Sequence, residues 1–113
     1  MEYMDYKELV KKDLQTDKDL ELYLEIAIED YLETGDKGQF LSSLRLASEI
    51  RGGFTKISRK TNLQREHLYT MLSKRGNPSF ENVAKIIKAL GYDLIIKAHR
   101  KVKKSPRRNY QLA

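Results

Sequence analysis

Along most of the chain, apolar residues recur three and four positions apart, the spacing that gathers them on one face of an α-helix. The clearest stripe is Val83, Ile86, Ile87 and Leu90, with Ser79 suited to cap its start and Gly91 its end. Before it, Leu68, Met71 and Leu72 share one face of a shorter helix opened by Gln64 or Arg65 and broken by Gly76, Asn77 and Pro78. A third short helix runs from Phe54 to Lys60, with Ile57 and the small Ser58 inward. Gly52-Gly53 precedes it and Asn62, which tolerates positive φ, follows it.

Upstream, the spacing predicts three more helices. Over 37–50, Phe40, Leu44, Ala47 and Ile50 or Arg51 align behind an Asp36 cap, with Gln39 at capping-box distance. Over 17–34, Leu20, Leu24, Ala27, Ile28 and Tyr31 follow the helical period. Thr16 or Asp17 caps that segment, acids sit at its positive end, and Gly35 closes it. Over 3–14, Tyr6, Leu9, Val10 and Leu14 align in a helix short enough to need packing.

After Gly91 the period changes to alternation. Tyr92, Leu94, Ile96 and Ala98 share one face of a predicted strand, with Asp93, Ile95, Lys97 and His99 on the other. A lone strand leaves its backbone unsatisfied, so pairing with a second copy or with another protein is expected. The alternative is an extended tail across the helices. The expected architecture is all-α, with five to six helices plus this strand. It divides into an acidic N-terminal helical extension (1–35), a helix-turn-helix domain (36–91), a dimerisation strand (92–100) and a basic flexible tail (101–113).

Two short helices joined by a few residues form a helix-turn-helix, whose second helix can enter the DNA major groove. Arg65, Glu66, Tyr69 and Thr70 lie away from Leu68 and Leu72, while Lys56, Arg59, Lys60, Lys74 and Arg75 flank them as phosphate contacts would. Ser58, the Asn62 break and Leu68 ten residues after Ser58 favour this reading over a plain three-helix unit with a solvated basic face. The charge agrees. A net +6 conceals −7 over residues 1–37 and +13 over the rest, so one part repels a polyanion and the other attracts it.

The 113 residues suffice for one domain with a tail. No apolar run approaches the roughly 18 residues of a membrane span, and the N-terminus lacks a secretory pattern. With no cysteine, thiolate chemistry and disulfides are excluded, and a cytoplasmic location is expected. His67 beside Glu66 lacks further metal ligands. Pairs such as Glu29 and Asp30 sit on a solvated face, and Gly52-Gly53 is not followed by a phosphate-loop lysine. Neither catalysis nor a metal or other cofactor is expected.

The segments YLEIAIED (23–30), FLSSLRLASEIRGGFTKISRKTNL (40–63), QREHLYTML (64–72) and GNPSFENVAKIIKALGYDL (76–94) carry a resemblance. Residues 36–94 resemble helix-turn-helix domains of the phage-repressor (Cro/Xre-like) type. More narrowly, 6–96 is similar to the probable addiction-module antidote proteins, a HigA-like antitoxin group. Ser58, Asn62 and Gln64 depart from the Ala, Gly and Ser common there. The resemblance implies the antitoxin of a type II toxin–antitoxin module. Such a protein is a homodimer that binds operator DNA, represses its own module and neutralises a RelE/HigB-like toxin that cuts messenger RNA. Carried onto this chain, Arg65, Glu66, Tyr69 and Thr70 read base edges, with Arg65 the best guanine contact. Lys56, Arg59, Gln64, Lys74, Arg75, Asn77 and Ser79 hold phosphates. The acidic helix over 17–34 is a sensible surface for a basic toxin. A stand-alone phage-type regulator, and a helical module that binds only protein, are the competing readings.

Overall fold

A computed structural model describes residues 6–14 and 16–96, which form six helices: α1 (Tyr6–Asp13), α2 (Asp17–Thr34), α3 (Lys37–Ile50), α4 (Gly53–Thr61), α5 (Arg65–Met71) and α6 (Phe80–Ala89). Local chemistry explains most of the boundaries. The Thr16 hydroxyl accepts from the Asp19 amide at 3.0 Å, the Asp36 carboxylate from Gln39 at 3.2 Å, and Ser79 from Asn82 at 3.1 Å. Each cap satisfies one of the amides that a helix start leaves without a partner. Asn62 takes the left-handed conformation, φ 67°, that separates α4 from α5.

α3 is the centre of the packing, with α1, α2 and α4 against it and α5 and α6 against α4. One apolar cluster runs through the molecule, from Leu14, Leu20, Leu24 and Ala27 through Phe40, Leu41, Leu44 and Ala47 to Phe54, Ile57, Leu68, Met71, Leu72, Ile86, Ile87 and Leu90. Fully burying one such aliphatic side chain contributes about 1.5–3 kcal/mol. The expected inward stripes of α2, α3, α5 and α6 are all represented in it. Leu14, just after α1, is buried but Leu9 within it is half exposed, because two turns of helix packed on α3 cannot turn every apolar residue inward. The Tyr6 and Val10 side chains lie outside the described residues.

The expected strand is not formed where the structure can be read. Residues 92–96 belong to no ladder, and Leu94, Ile95 and Ile96 are exposed. The reason lies in the end of α6. Gly91, at φ 100°, donates its amide to Lys88, and Tyr92 donates its amide to Ile87 at 3.2 Å. These paired bonds satisfy the last helical carbonyls and reverse the chain direction. Tyr92 therefore points back into the molecule instead of along a sheet. Its hydroxyl donates to the Asp17 carbonyl at 2.9 Å and accepts from Arg51 at 2.7 Å. Arg51 also pairs with the Asp17 carboxylate at 2.6 Å. The Tyr92 hydroxyl, opposed by burial and helped by Asp17, pushes the Arg51 guanidinium pKa up and keeps it cationic. The remainder of the expected strand, 97–100, and the basic tail, 101–113, lie outside the described residues.

Gly76 is required for space. A Cβ there would overlap the backbone carbonyls of Met71 and Thr70, which close the end of α5. Gly35 is required for conformation instead, with φ 76° and open space around it. Gly76→Ala should therefore destabilise the fold by about 3 kcal/mol or more, against about 1 kcal/mol for Gly35→Ala. Urea unfolding of the two variants checks the order. Tyr92→Phe should cost about 1 kcal/mol through its two lost hydrogen bonds and leave the sedimentation coefficient unchanged. Dissociation of an oligomer by that substitution would contradict the intrachain role assigned to Tyr92.

Candidate functional site

The turn between α4 and α5 is fastened to α4 by two side chains. Ser58 donates to the Leu63 carbonyl at 2.5 Å, and the Thr61 hydroxyl accepts from the Leu63 amide at 3.2 Å while donating to Ile57 at 2.8 Å. Ser58 thus offers a bond that an alanine would lack. Gln64 opens α5 in an extended conformation without a side-chain cap bond, so its amide is free for a ligand. Leu68 and Met71 are buried, anchoring one side of α5. Arg65, Glu66 and Thr70 are exposed on the other, and Tyr69 keeps 45% of its surface.

Tyr69 is the centre of this surface. Its ring meets Phe54 edge-on at 4.5 Å, and Phe54 is itself buried. The guanidinium groups of Arg65 and Arg45 each stand 5.8 Å from the ring centroid, within cation–π range. Arg65 also donates a long bond, 3.5 Å, to the Tyr69 hydroxyl. Two cations and a planar ring are therefore held at one exposed patch. Thr70 donates its hydroxyl proton to the Glu66 carbonyl at 3.1 Å, which leaves its oxygen available only as an acceptor.

The residues expected to hold phosphates divide among three places. Lys56 and Arg59 are exposed on α4. Lys74 and Arg75 are exposed in the turn after α5, which Gly76 tightens. Asn77 accepts from Lys37 Nζ at 3.1 Å, which adds a lysine from the start of α3 to the same rim. Ser79 is committed as the α6 cap, so its hydroxyl oxygen is already in use. Lys60 lies apart, donating at 3.5 Å to the Ala89 carbonyl at the negative end of α6.

Sequence reasoning missed Arg45 and Lys37. Arg45 had one signal, as the sole charged residue between Phe40 and Ser48 in an otherwise apolar helix. Lys37 had none, because its partner Asn77 is forty positions away. Among the described residues no group of three or more His, Cys, Asp or Glu could hold a metal ion, and no helix is long and apolar enough to cross a membrane.

A family described as "Probable addiction module antidote protein" matches residues 5–98. An uncharacterized protein of Haemophilus influenzae is 35% identical over 92 residues, which span 80% of this chain and 89% of that protein. No solved structure matches the chain.

The Tyr69 contacts separate ring from hydroxyl. Tyr69→Ala should lower stability by about 1–2 kcal/mol through loss of the aromatic contact with Phe54. Tyr69→Phe should change it by less than about 0.5 kcal/mol, because the hydroxyl has only the long bond to Arg65. Thermal melts of both variants decide the point.

Proposed function

Since the chain belongs to the family of probable addiction module antidote proteins, we propose that it is the antitoxin of a type II toxin–antitoxin module, acting by binding and not by catalysis. It holds a RelE/HigB-like, messenger-RNA-cutting toxin inactive by direct contact. As a homodimer in the cytoplasm it binds operator DNA and represses its own module. α4 and α5 act as a helix-turn-helix of the phage-repressor type, with α5 entering the major groove.

One observation carries the DNA half of this reading: α5 buries Leu68 and Met71 while leaving Arg65, Glu66, Tyr69 and Thr70 exposed, and the helix before it and the turn after it expose Lys56, Arg59, Lys74 and Arg75. Arg65, steadied by the Tyr69 ring, is suited to a bidentate contact with guanine, and Glu66 to accepting from a cytosine amine. Thr70, reduced to an acceptor, suits an amino group on a base edge. Lys56, Arg59, Lys74 and Arg75, joined by Gln64 and the Lys37–Asn77 pair, would fix the register on the phosphates. Two copies would present two α5 helices to half-sites about one helical turn apart. The toxin half rests on the family, whose members are described as antidotes.

Two substitutions divide the roles. Arg65→Ala should cost about 1–3 kcal/mol at one operator position and relax the sequence preference there. Lys74→Ala should weaken binding to all duplexes alike and reduce the salt slope by about one unit. Titrations of the module's own promoter fragment over a range of salt read both effects. Unchanged operator affinity in Arg65→Ala would remove α5 from the groove. Co-expression with the small reading frame beside the gene tests the toxin half by growth rescue.

A further inference from the structure

The outward face of α2 has no role in the fold. The helix turns Leu20, Leu24 and Ala27 inward, yet Leu22, Ile26 and Leu32 remain 55%, 49% and 75% exposed. Leu22 and Ile26 stand one turn apart on the side opposite the core, and Glu29 and Glu33 continue the same row. Glu21 and Glu25 flank that row beside Leu32. All four glutamates are exposed, and none forms an ion pair among the described residues. α2 as a whole carries seven carboxylates and one lysine, a net charge of −6.

We infer that this apolar and acidic ridge is the surface on which the module's toxin docks, an inference that rests on the antitoxin reading above. The partner it fits is a protein offering an apolar depression ringed by lysine and arginine. Exposed aliphatic side chains in a row supply the area that drives association, and unpaired carboxylates around them supply orientation and on-rate. A protein that grips RNA carries cationic side chains for the phosphates, which complements the glutamates. Two other occupants are disfavoured by the same charges. DNA would be repelled, and a second copy's α2 would bring like charge against like in a symmetric contact. The ridge also belongs to a different helix from the α5 surface, so losing one binding activity need not disturb the other.

The experiment uses the full chain and, as probe, the purified product of the small reading frame beside its gene. Leu22→Lys with Ile26→Lys removes the apolar row, and Glu29→Lys with Glu33→Lys reverses the charge. Each pair should weaken probe binding by at least about tenfold, leave operator affinity unchanged, and abolish growth rescue. Wild-type affinity should fall as salt rises, and the charge-reversed chain should lose that dependence. Circular dichroism verifies folding, and if the first pair fails to fold the second decides alone. Wild-type binding that survives in a folded variant pair overturns the surface while leaving the antitoxin reading intact. Loss of self-association without loss of probe binding would make the ridge a contact between copies and overturn it too. Failure of the wild-type chain to bind the probe would overturn both readings together.

Discussion

The fold depends on the burial of α3 against three other helices. Leu44, Ala47 and Ser48 are wholly inaccessible and Leu41 nearly so, although they do not all point the same way. Three of the buried positions of this enclosed helix are small residues, Ser43, Ala47 and Ser48. Both serines return their hydroxyls to their own helix, Ser48 to the Leu44 carbonyl at 2.9 Å and Ser43 to Gln39 at 3.2 Å. The buried polar atoms are thus satisfied without help from other elements. Because α2 and α4 both rest on α3, the acidic ridge and the α4–α5 surface take their positions from it.

Signals confined to one turn of chain were legible in the sequence. The caps at Asp36 and Ser79 and the stripe over Val83, Ile86, Ile87 and Leu90 depend on residues three or four apart, and the left-handed Asn62 on its own side chain. The structure has each where the sequence puts it, and it selects Thr16 over Asp17 as the cap of α2. What escaped were contacts between distant residues. Arg45 meets Tyr69 and Lys37 meets Asn77 across the fold, and no periodicity encodes such meetings. The alternation after Gly91 misled for a related reason. A period of two describes side chains on a strand, yet a strand exists only where another edge supplies hydrogen bonds. Tyr92 instead found Arg51 and Asp17. Leu22, Ile26 and Leu32 fall outside the inward stripe of α2, but a period marks the buried face and does not show whether the opposite face is covered.

Charge is sorted by element in a way that suits two partners of opposite sign. α2 concentrates the acids, while the exposed side chains of α4 and of the turn after α5 are mostly cationic. Within a single small fold, such separation costs some mutual attraction that mixing would supply. The ion pairs among the described residues include Lys11 with Glu49, Arg51 with Asp17 and Lys85 with Glu81. All three have substantial exposure, and such pairs contribute at most about 1 kcal/mol each. Stability therefore rests on the apolar core, which leaves the surface charges free to serve recognition.

The junction at Arg51 bears on the order in which the molecule can be completed. Its two partners lie 34 residues earlier and 41 residues later in the chain. During synthesis α2 and α3 emerge before α6, and Arg51 can reach Asp17 while Tyr92 is still unmade. The Tyr92 hydroxyl, which bonds both Arg51 and the Asp17 carbonyl, joins that pair only after α6 has been made. A translation product that stops short of that tyrosine keeps the Asp17–Arg51 pair and the apolar contact of α2 with α3, but lacks the bonds that tie the start of α2 to the end of α6.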